Sequence, residues 1–104
     1  MRLLPWPAPG PARDITDRAV VERMASGDPA AVRELLARYR STVYATAYAV
    51  LVDPEQVDVV VAGTFEQAWR NAARFLCTHG SVSGWLTHLT RLNVAALTAG
   101  WPPA

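Results

Sequence analysis

The sequence predicts an all-α protein that folds as a compact bundle of four helices. Four stretches of the chain carry apolar residues at spacings of three and four, and an Asp-Pro pair precedes two of them, as expected for amphipathic helices with marked starts. No window shows sustained alternation of apolar and polar residues, so we expect no strands. A chain of 104 residues has the size of one domain with a single core.

The second helix is predicted to run from about Pro29 to Val52, with the other three packed around it. Asp28 suits the N-cap because its carboxylate accepts hydrogen bonds from the first turn, and Pro29 suits the first helical position. No charged residue occurs from Ser41 to Val52, so we expect this half to be surrounded by other helices. The predicted apolar face comprises Val32, Leu36, Tyr39, Val43, Ala47 and Val50, widened by Leu35, Tyr44, Tyr48 and Leu51.

The first helix is expected to begin at Thr16 and to end near Gly27. The Thr16 side chain can cap the helix, and Ile15 can close over Val20 as a hydrophobic staple. Gly27 suits the left-handed residue that often follows a helix. The stripe predicted to be buried consists of Val20, Val21 and Met24.

The third helix is predicted to begin at Pro54, with Asp53 as its cap and Gln56 as the second half of a capping box. Its apolar face is unbroken, and Trp69 within it should be buried against the second helix. The face comprises Val57, Val60, Val61, Thr64, Phe65, Ala68, Trp69 and Ala72.

A loop between Phe75 and Ser81 should separate the third helix from the fourth, because the periodicity stops there. Either Ser81 or Ser83 caps the fourth helix, and Gly100 followed by two prolines ends it. Its predicted core stripe is Val82, Trp85, Leu86, Leu89, Leu92 and Ala96.

These elements divide the chain into a mobile Pro-rich tail at residues 1–14, a helical domain at 15–99 and a short C-terminal tail at 100–104. Trp6 and its neighbouring prolines also suit a docking peptide for an aromatic-lined groove. We favour an unstructured tail, which is the commoner property of such a terminus.

Charge and cysteine content exclude several classes of protein. The formal net charge is only +1, so the chain as a whole is not a strongly basic nucleic-acid binder, although no acidic residue follows Glu66. Cys77 is the single cysteine, which rules out an intrachain disulfide and fits a cytoplasmic location. The N-terminal apolar run is too short for a signal peptide, and no stretch approaches the ~18 apolar residues of a membrane span.

Three segments in fixed order carry a family resemblance: GDPAAVRELLARYRSTVYATAYAVLVDPEQVD, then TFEQAWRNAARF, then GSVSGWLTHLTR. From about Asp17 to Leu97 the chain resembles region 2 of the extracytoplasmic-function (ECF) group of sigma-70 family transcription initiation factors. The resemblance implies a helical module that docks on the β′ clamp helices of RNA polymerase core and helps to open the −10 promoter element. An anti-sigma factor is a candidate for a further partner, but the sequence does not establish that one exists.

The resemblance assigns polymerase binding to an outward stripe of the third helix. In the family an acidic residue, a Gln and a Glu precede the Phe of TFEQAW, and the matching positions here are Val59, Ala62 and Gly63. Loss of these polar groups weakens the expected contact, because charge-assisted hydrogen bonds are strong. A smooth apolar stripe also suits a new protein partner. The predicted surface comprises Asp58, Val59, Ala62, Gly63 and Glu66.

The strand-opening surface implied by the resemblance is the end of the third helix, the following loop and the fourth helix. Aromatic side chains stack on single-stranded bases while cations contact phosphates. A core role is favoured over base stacking for Phe75 and Trp85, and Arg70 and Arg74 are equally well explained as solvated charges, so we expect weak DNA affinity. The candidates are Arg70, Asn71, Arg74, Phe75, His79, Trp85, His88 and Arg91.

No catalytic or cofactor chemistry is predicted. Cys77, His79 and His88 lack the paired spacing of a zinc site, and Asp53 and Glu55 are explained by helix capping. The family's second module, which reads the −35 element, has no counterpart in these residues. We therefore expect no −35 recognition from this chain alone, and we interpret it as either a fragment or a decayed paralogue. Two functions remain: a sigma region 2-like domain in transcription initiation, or a degenerate sigma-like interaction module without promoter activity.

Overall fold

Four α-helices account for almost all of residues 11–99, the part of the chain that this computed structural model describes, with side chains from Asp14 onward. The helices are α1 (Pro11–Ala25), α2 (Pro29–Leu51), α3 (Pro54–Leu76) and α4 (Val82–Thr98). No strand occurs within residues 11–99, and the predicted all-α bundle is confirmed. Residues 1–10 and 100–104, predicted as tails, lie outside the described part.

The predicted starts of α2, α3 and α4 are confirmed. Asp28, Asp53 and Ser81 are the N-caps, and each accepts a hydrogen bond from a backbone N–H of the first turn at 2.9 to 3.0 Å. Such a bond satisfies one of the donors that a helix start leaves without an intrahelical partner. Ser81, rather than Ser83, caps α4.

Arg23 fixes the short link between α1 and α2. Its guanidinium donates to Asp28 Oδ2 at 3.0 and 3.1 Å and to Glu34 Oε2 at 2.8 Å. Because Arg23 and the Ala30 N–H bond to the ionised carboxylate, the pKa of Asp28 lies below its usual value, while hydrogen bonds to Glu34 and Asp28 raise the pKa of Arg23. Gly27 turns the chain with φ of 89°, in the predicted left-handed region.

The prediction for the start of α1 was wrong. The helix begins at Pro11, so Thr16 lies inside it and residues 11–14 belong to the helix rather than to a tail. Proline is compatible with a helix start because its missing N–H would have no partner there. Ile15 is 67% exposed and therefore does not form the expected staple.

The core lies where α2 and α3 pack against each other and against α1 and α4. α3 contacts the other helices as extensively as α2 does, so the centre of the bundle is shared between two helices. The buried apolar residues are Val20, Val21, Met24, Ala31, Leu35, Tyr39, Val43, Ala47, Val57, Val60, Val61, Phe65, Ala68, Ala72, Phe75, Val82, Leu86 and Val94.

The uncharged second half of α2 is largely exposed, contrary to prediction. Val43 and Ala47 are buried, whereas Tyr48 is 41% exposed and Val50 is 60% exposed. Most other residues of this half are Ser, Thr or Ala, whose small side chains tolerate water as well as burial. The absence of charge therefore did not indicate a surrounding layer of helices.

The buried stripe of α4 is also rotated from the predicted one. Leu92 is 52% exposed and Ala96 is exposed, while Thr90 and Val94 are buried in their place. Thr90 tolerates burial because its hydroxyl donates to the Leu86 carbonyl at 2.7 Å. The buried stripe therefore consists of residues four apart: Val82, Leu86, Thr90 and Val94. The prediction missed it because Thr90 is polar.

A buried carboxylate joins α1 to α2. Asp17 is 1% exposed; one of its oxygens accepts from Arg38 Nη1 at 2.7 Å, and the other accepts from the Tyr39 hydroxyl. Each oxygen thus has a donor, which is what a charge needs when it is removed from water.

Trp69 is 36% exposed, which contradicts its predicted burial. It lies beside Pro29 and Val32 in an open groove of about 370 Å³ at the start of α2. Replacement with Ala should therefore cost only about 1–2 kcal/mol in the free energy of unfolding, less than the ~3–5 kcal/mol of a fully buried Trp. Urea unfolding followed by far-UV circular dichroism measures this; a loss above that range would mean that Trp69 is buried in solution.

Candidate nucleic-acid and polymerase interfaces

The five residues predicted to face polymerase form one exposed strip on α3. Val59 is 65% exposed, and the spacing of three and four places its companions on the same face. Gly63 is half-buried at the edge, and the others are exposed. The strip thus points outward, as the helical spacing predicted. We refer to Asp58, Val59, Ala62, Gly63 and Glu66 as the α3 strip.

A groove of about 190 Å³ separates the α3 strip from α4, and it leaves room beside Gly63. A Cβ atom built on Gly63 would meet only Asn93 Oδ1, at 3.8 Å, which is an ordinary van der Waals distance. Glycine is therefore not required here by close packing, although it costs ~1 kcal/mol relative to Ala inside a helix.

An amide network beneath the strip holds α3 against α4. Asn93 Nδ2 donates to Thr64 Oγ1 at 3.2 Å and to Gln67 Oε1 at 3.2 Å, and Gln67 Nε2 donates back to Asn93 Oδ1 at 3.3 Å. Asn93 Nδ2 also lies 3.0 Å from the Leu89 carbonyl. The backbone under the strip is thus fixed by contacts that do not use the strip itself.

Glu66 and Arg70 connect the α3 strip to the basic end of the helix. Their side chains form an ion pair at 2.9 Å and are 62% and 67% exposed. An exposed pair of this spacing contributes little to stability, because water screens it and two long side chains must be ordered. Arg70 can therefore exchange Glu66 for another anion at small cost.

Asn71 marks a kink in α3 and has a local role. Its φ of −112° and ψ of 15° depart from the helix, and its Nδ2 donates to the Gln67 carbonyl at 2.9 Å. The side chain thus satisfies a backbone group in its own helix, as short polar side chains do near helix irregularities. Asn71 bends the last turn of α3, and its amide is engaged within the chain.

Phe75 belongs to the core rather than to a base-stacking surface. It is 4% exposed, and its ring stacks on Trp85 with centroids 4.3 Å apart and planes at 15°. Trp85 is half-buried, so part of its ring remains accessible. The core role favoured from the sequence is confirmed for Phe75.

Of the remaining DNA candidates, Arg74 and His79 lie near the loop and are exposed. His88 and Arg91 are exposed further along α4, and Arg91 lines a groove with Ala49 and Val50 of α2. Nine residues separate Val82 from Arg91, roughly 14 Å of helix rise. The structure therefore does not bring Arg91 close to the loop. We refer to Arg70, Arg74, His79 and Trp85, which lie in the loop or within about two helical turns of it along the chain, as the loop cluster.

Two residues of α1 that the sequence did not single out hold this loop in place. Arg18 donates to the carbonyl oxygens of Gly80, Leu76 and Thr78 at 3.0, 3.1 and 3.2 Å. Asp14 Oδ1 accepts the Val82 N–H at 2.9 Å. In the sequence, Asp14 and Arg18 lie four residues apart, which places both on one face of α1 but does not indicate what they contact.

Within residues 11–99 no three His, Cys, Asp or Glu side chains lie close enough together to hold a metal ion. The same part of the chain contains no helix long and apolar enough to cross a membrane.

These features define the class of protein: an all-α domain with one exposed helix strip and a basic loop cluster. The sigma-70 region 2 family model matches residues 35–95, which span most of α2, all of α3 and most of α4. The chain therefore belongs to the sigma-70 region 2 family, a family of transcription-factor domains rather than of enzymes. No curated protein and no solved structure compared with the chain gave a significant match.

Proposed function

We propose that the chain acts in transcription initiation as a region 2 domain of the ECF group. In this proposal the α3 strip docks on the β′ clamp helices of RNA polymerase core, and the loop cluster contacts the single-stranded −10 promoter element. The observation that carries the proposal is the family match over residues 35–95, which contains both surfaces. This function places the chain in the cytoplasm, where polymerase acts.

The geometry of the loop cluster supports the DNA half of this proposal. Arg74 and His79 are exposed, and Trp85 is half-buried in the first turn of α4, so part of its ring is accessible. A cation and an accessible aromatic surface are the two elements by which proteins hold single strands. Few cations are present, so we expect weak binding with a shallow dependence on salt.

The double variant Arg70→Gln and Arg74→Gln tests this assignment. A fluorescent single-stranded −10 oligonucleotide is titrated with the chain and core polymerase at several salt concentrations. The variant should bind more weakly, and the slope of log affinity against log salt should fall by about 0.7 per lost phosphate contact. Arg40→Gln, which removes charge from an exposed position of α2, is the control. Equal losses in the control and in the double variant would contradict a localised DNA site.

A second function is favoured by the apolar character of the α3 strip. Val59 and Ala62 are exposed without a polar group where the family has polar residues. This suits a sigma-like module that binds another protein, such as an anti-sigma factor, without promoter activity. Polymerase binding decides between the two functions, because the interaction module does not require it.

A further inference from the structure

We propose that Asp14 and Arg18 of α1 are positioning residues for the capture of single-stranded DNA. From α1, their side chains bind backbone atoms of the loop between α3 and α4 and of the adjoining helix ends, and so fix the conformation of this loop. The inference rests on the proposed function and extends it to a helix that lies outside the family match of residues 35–95.

Arg18 binds the end of α3 through three backbone acceptors. Its Nη2 lies 3.1 Å from the Leu76 carbonyl, at the last residue of the helix, and its two terminal nitrogens reach two carbonyls of the loop. A planar guanidinium can serve several acceptors at once, and a cation is favoured at a helix C-terminus, where the helix dipole is negative. The same guanidinium carbon lies 4.9 Å from the centroid of the Phe75 ring, a cation–π contact.

Asp14 binds the start of α4 with the opposite charge. Its carboxylate accepts the Val82 N–H at 2.9 Å, at the first residue of the helix. A carboxylate is favoured at a helix N-terminus for the same electrostatic reason. One turn of α1 therefore carries an anion and a cation, each matched to one of the two helix ends that flank the loop.

Both contacts use main-chain atoms of the loop and of the helix ends. The His79 side chain is exposed, whereas the Thr78 hydroxyl donates to the Phe75 carbonyl at 2.7 Å and the Cys77 thiol to the Ala73 carbonyl at 3.6 Å. A loop that is ordered before binding avoids the entropy cost of being ordered by the ligand. The α1 pair thus sets the shape of the loop without using the exposed His79 side chain, which stays available for a DNA strand.

The test compares Arg18→Gln, Arg18→Lys and Asp14→Asn with the wild-type chain. Matched controls are Arg23→Gln and Glu22→Gln, which change charge in the other half of α1. Each is titrated, with core polymerase, against a −10 single strand and a scrambled strand of the same composition, at a temperature where circular dichroism shows it folded. Arg18→Gln should reduce the ratio of the two affinities by about fivefold to tenfold. Arg18→Lys, which keeps the charge but not the planar fork, should rescue little.

Two further measurements separate positioning from general stability. Hydrogen exchange at the Val82 amide should accelerate in Asp14→Asn and in Arg18→Gln but not in the controls, while affinity for core polymerase stays unchanged in all variants. If the wild-type chain does not distinguish the −10 strand from the scrambled strand, the proposed function itself fails. If it does and the α1 variants distinguish them equally well, or if the controls lose as much, the positioning role is wrong.

Discussion

Restoring polar groups to the α3 strip should strengthen binding to RNA polymerase core by tenfold or more. The triple change Val59→Asp, Ala62→Gln and Gly63→Glu returns the residue types that the family carries at these positions. Regaining one charge-assisted hydrogen bond is worth about 1.5–3 kcal/mol, and each ~1.4 kcal/mol is a factor of ten in affinity. Surface plasmon resonance on immobilised core polymerase measures the change.

The structure indicates that the triple variant will fold. Val59 is 65% exposed, and a Cβ at Gly63 meets only one side-chain oxygen at an ordinary distance. Replacing a mid-helix glycine gains ~1 kcal/mol, which offsets the few tenths lost at each of the three like-charge pairs that the variant creates, at positions 55 and 59, 59 and 63, and 63 and 66. If the triple variant unfolds, the residues of the α3 strip belong to the hydrophobic core in solution. If the unmodified chain already binds core polymerase with nanomolar affinity, no contact to polymerase has been lost. A control, Val50→Asp on α2, adds one negative charge, against two in the triple variant, at an exposed site outside the strip.

Removal of the buried carboxylate of α1 should destabilise the fold more than the replacement of Trp69 does. Asp17→Ala should lower the free energy of unfolding by about 3–5 kcal/mol, because it leaves Arg38 without its buried partner. The Tyr39 hydroxyl also loses its hydrogen bond to the Asp17 carboxylate, and a hydrogen bond to a charged group is worth about 1.5–3 kcal/mol. Arg38 is 32% exposed at its side chain, so water offsets part of the loss and the lower half of the range is expected.

Urea unfolding checks this value, with Glu22→Ala as the control in the same helix. Glu22 is exposed, so its removal should change stability by no more than ~0.5 kcal/mol. A loss of similar size in both variants would show that Asp17 is solvated and that the contact with Tyr39 does not form in solution.

The starts of α2, α3 and α4 and the outward position of the α3 strip were predictable because each rests on neighbouring residues. Asp28 and Asp53 precede prolines, and this pair of features marks a start with a clear physical cause. The outward position of Val59 followed from helical spacing alone. Asp17 was also open to prediction, since it lies three, four and seven residues before Val20, Val21 and Met24 on the buried stripe.

The failures arose where a contact depends on distant parts of the chain. Trp69 shares the apolar face of α3, but the groove at the start of α2 is too open to cover it. The loop is set by Arg18 and Asp14 across 58 to 68 residues of sequence, and no local pattern encodes such a contact. A further unpredicted feature is local: Val52, the C-cap that follows α2, has a φ of 65°. β-Branched residues rarely adopt this left-handed conformation, and sequence rules assign it to Gly or Asn.

The most direct test of polymerase binding by this domain is the affinity of the unmodified chain for RNA polymerase core. The chain is titrated onto immobilised core polymerase, and an intact sigma factor is then added as a competitor. We predict saturable binding with a Kd of about 1 μM or weaker, and we expect the competitor to abolish it. The domain keeps the sigma scaffold, but the α3 strip has no polar group at Val59, Ala62 and Gly63. Absence of saturable binding by both the unmodified chain and the triple variant, or binding that the competitor does not displace, would contradict this prediction.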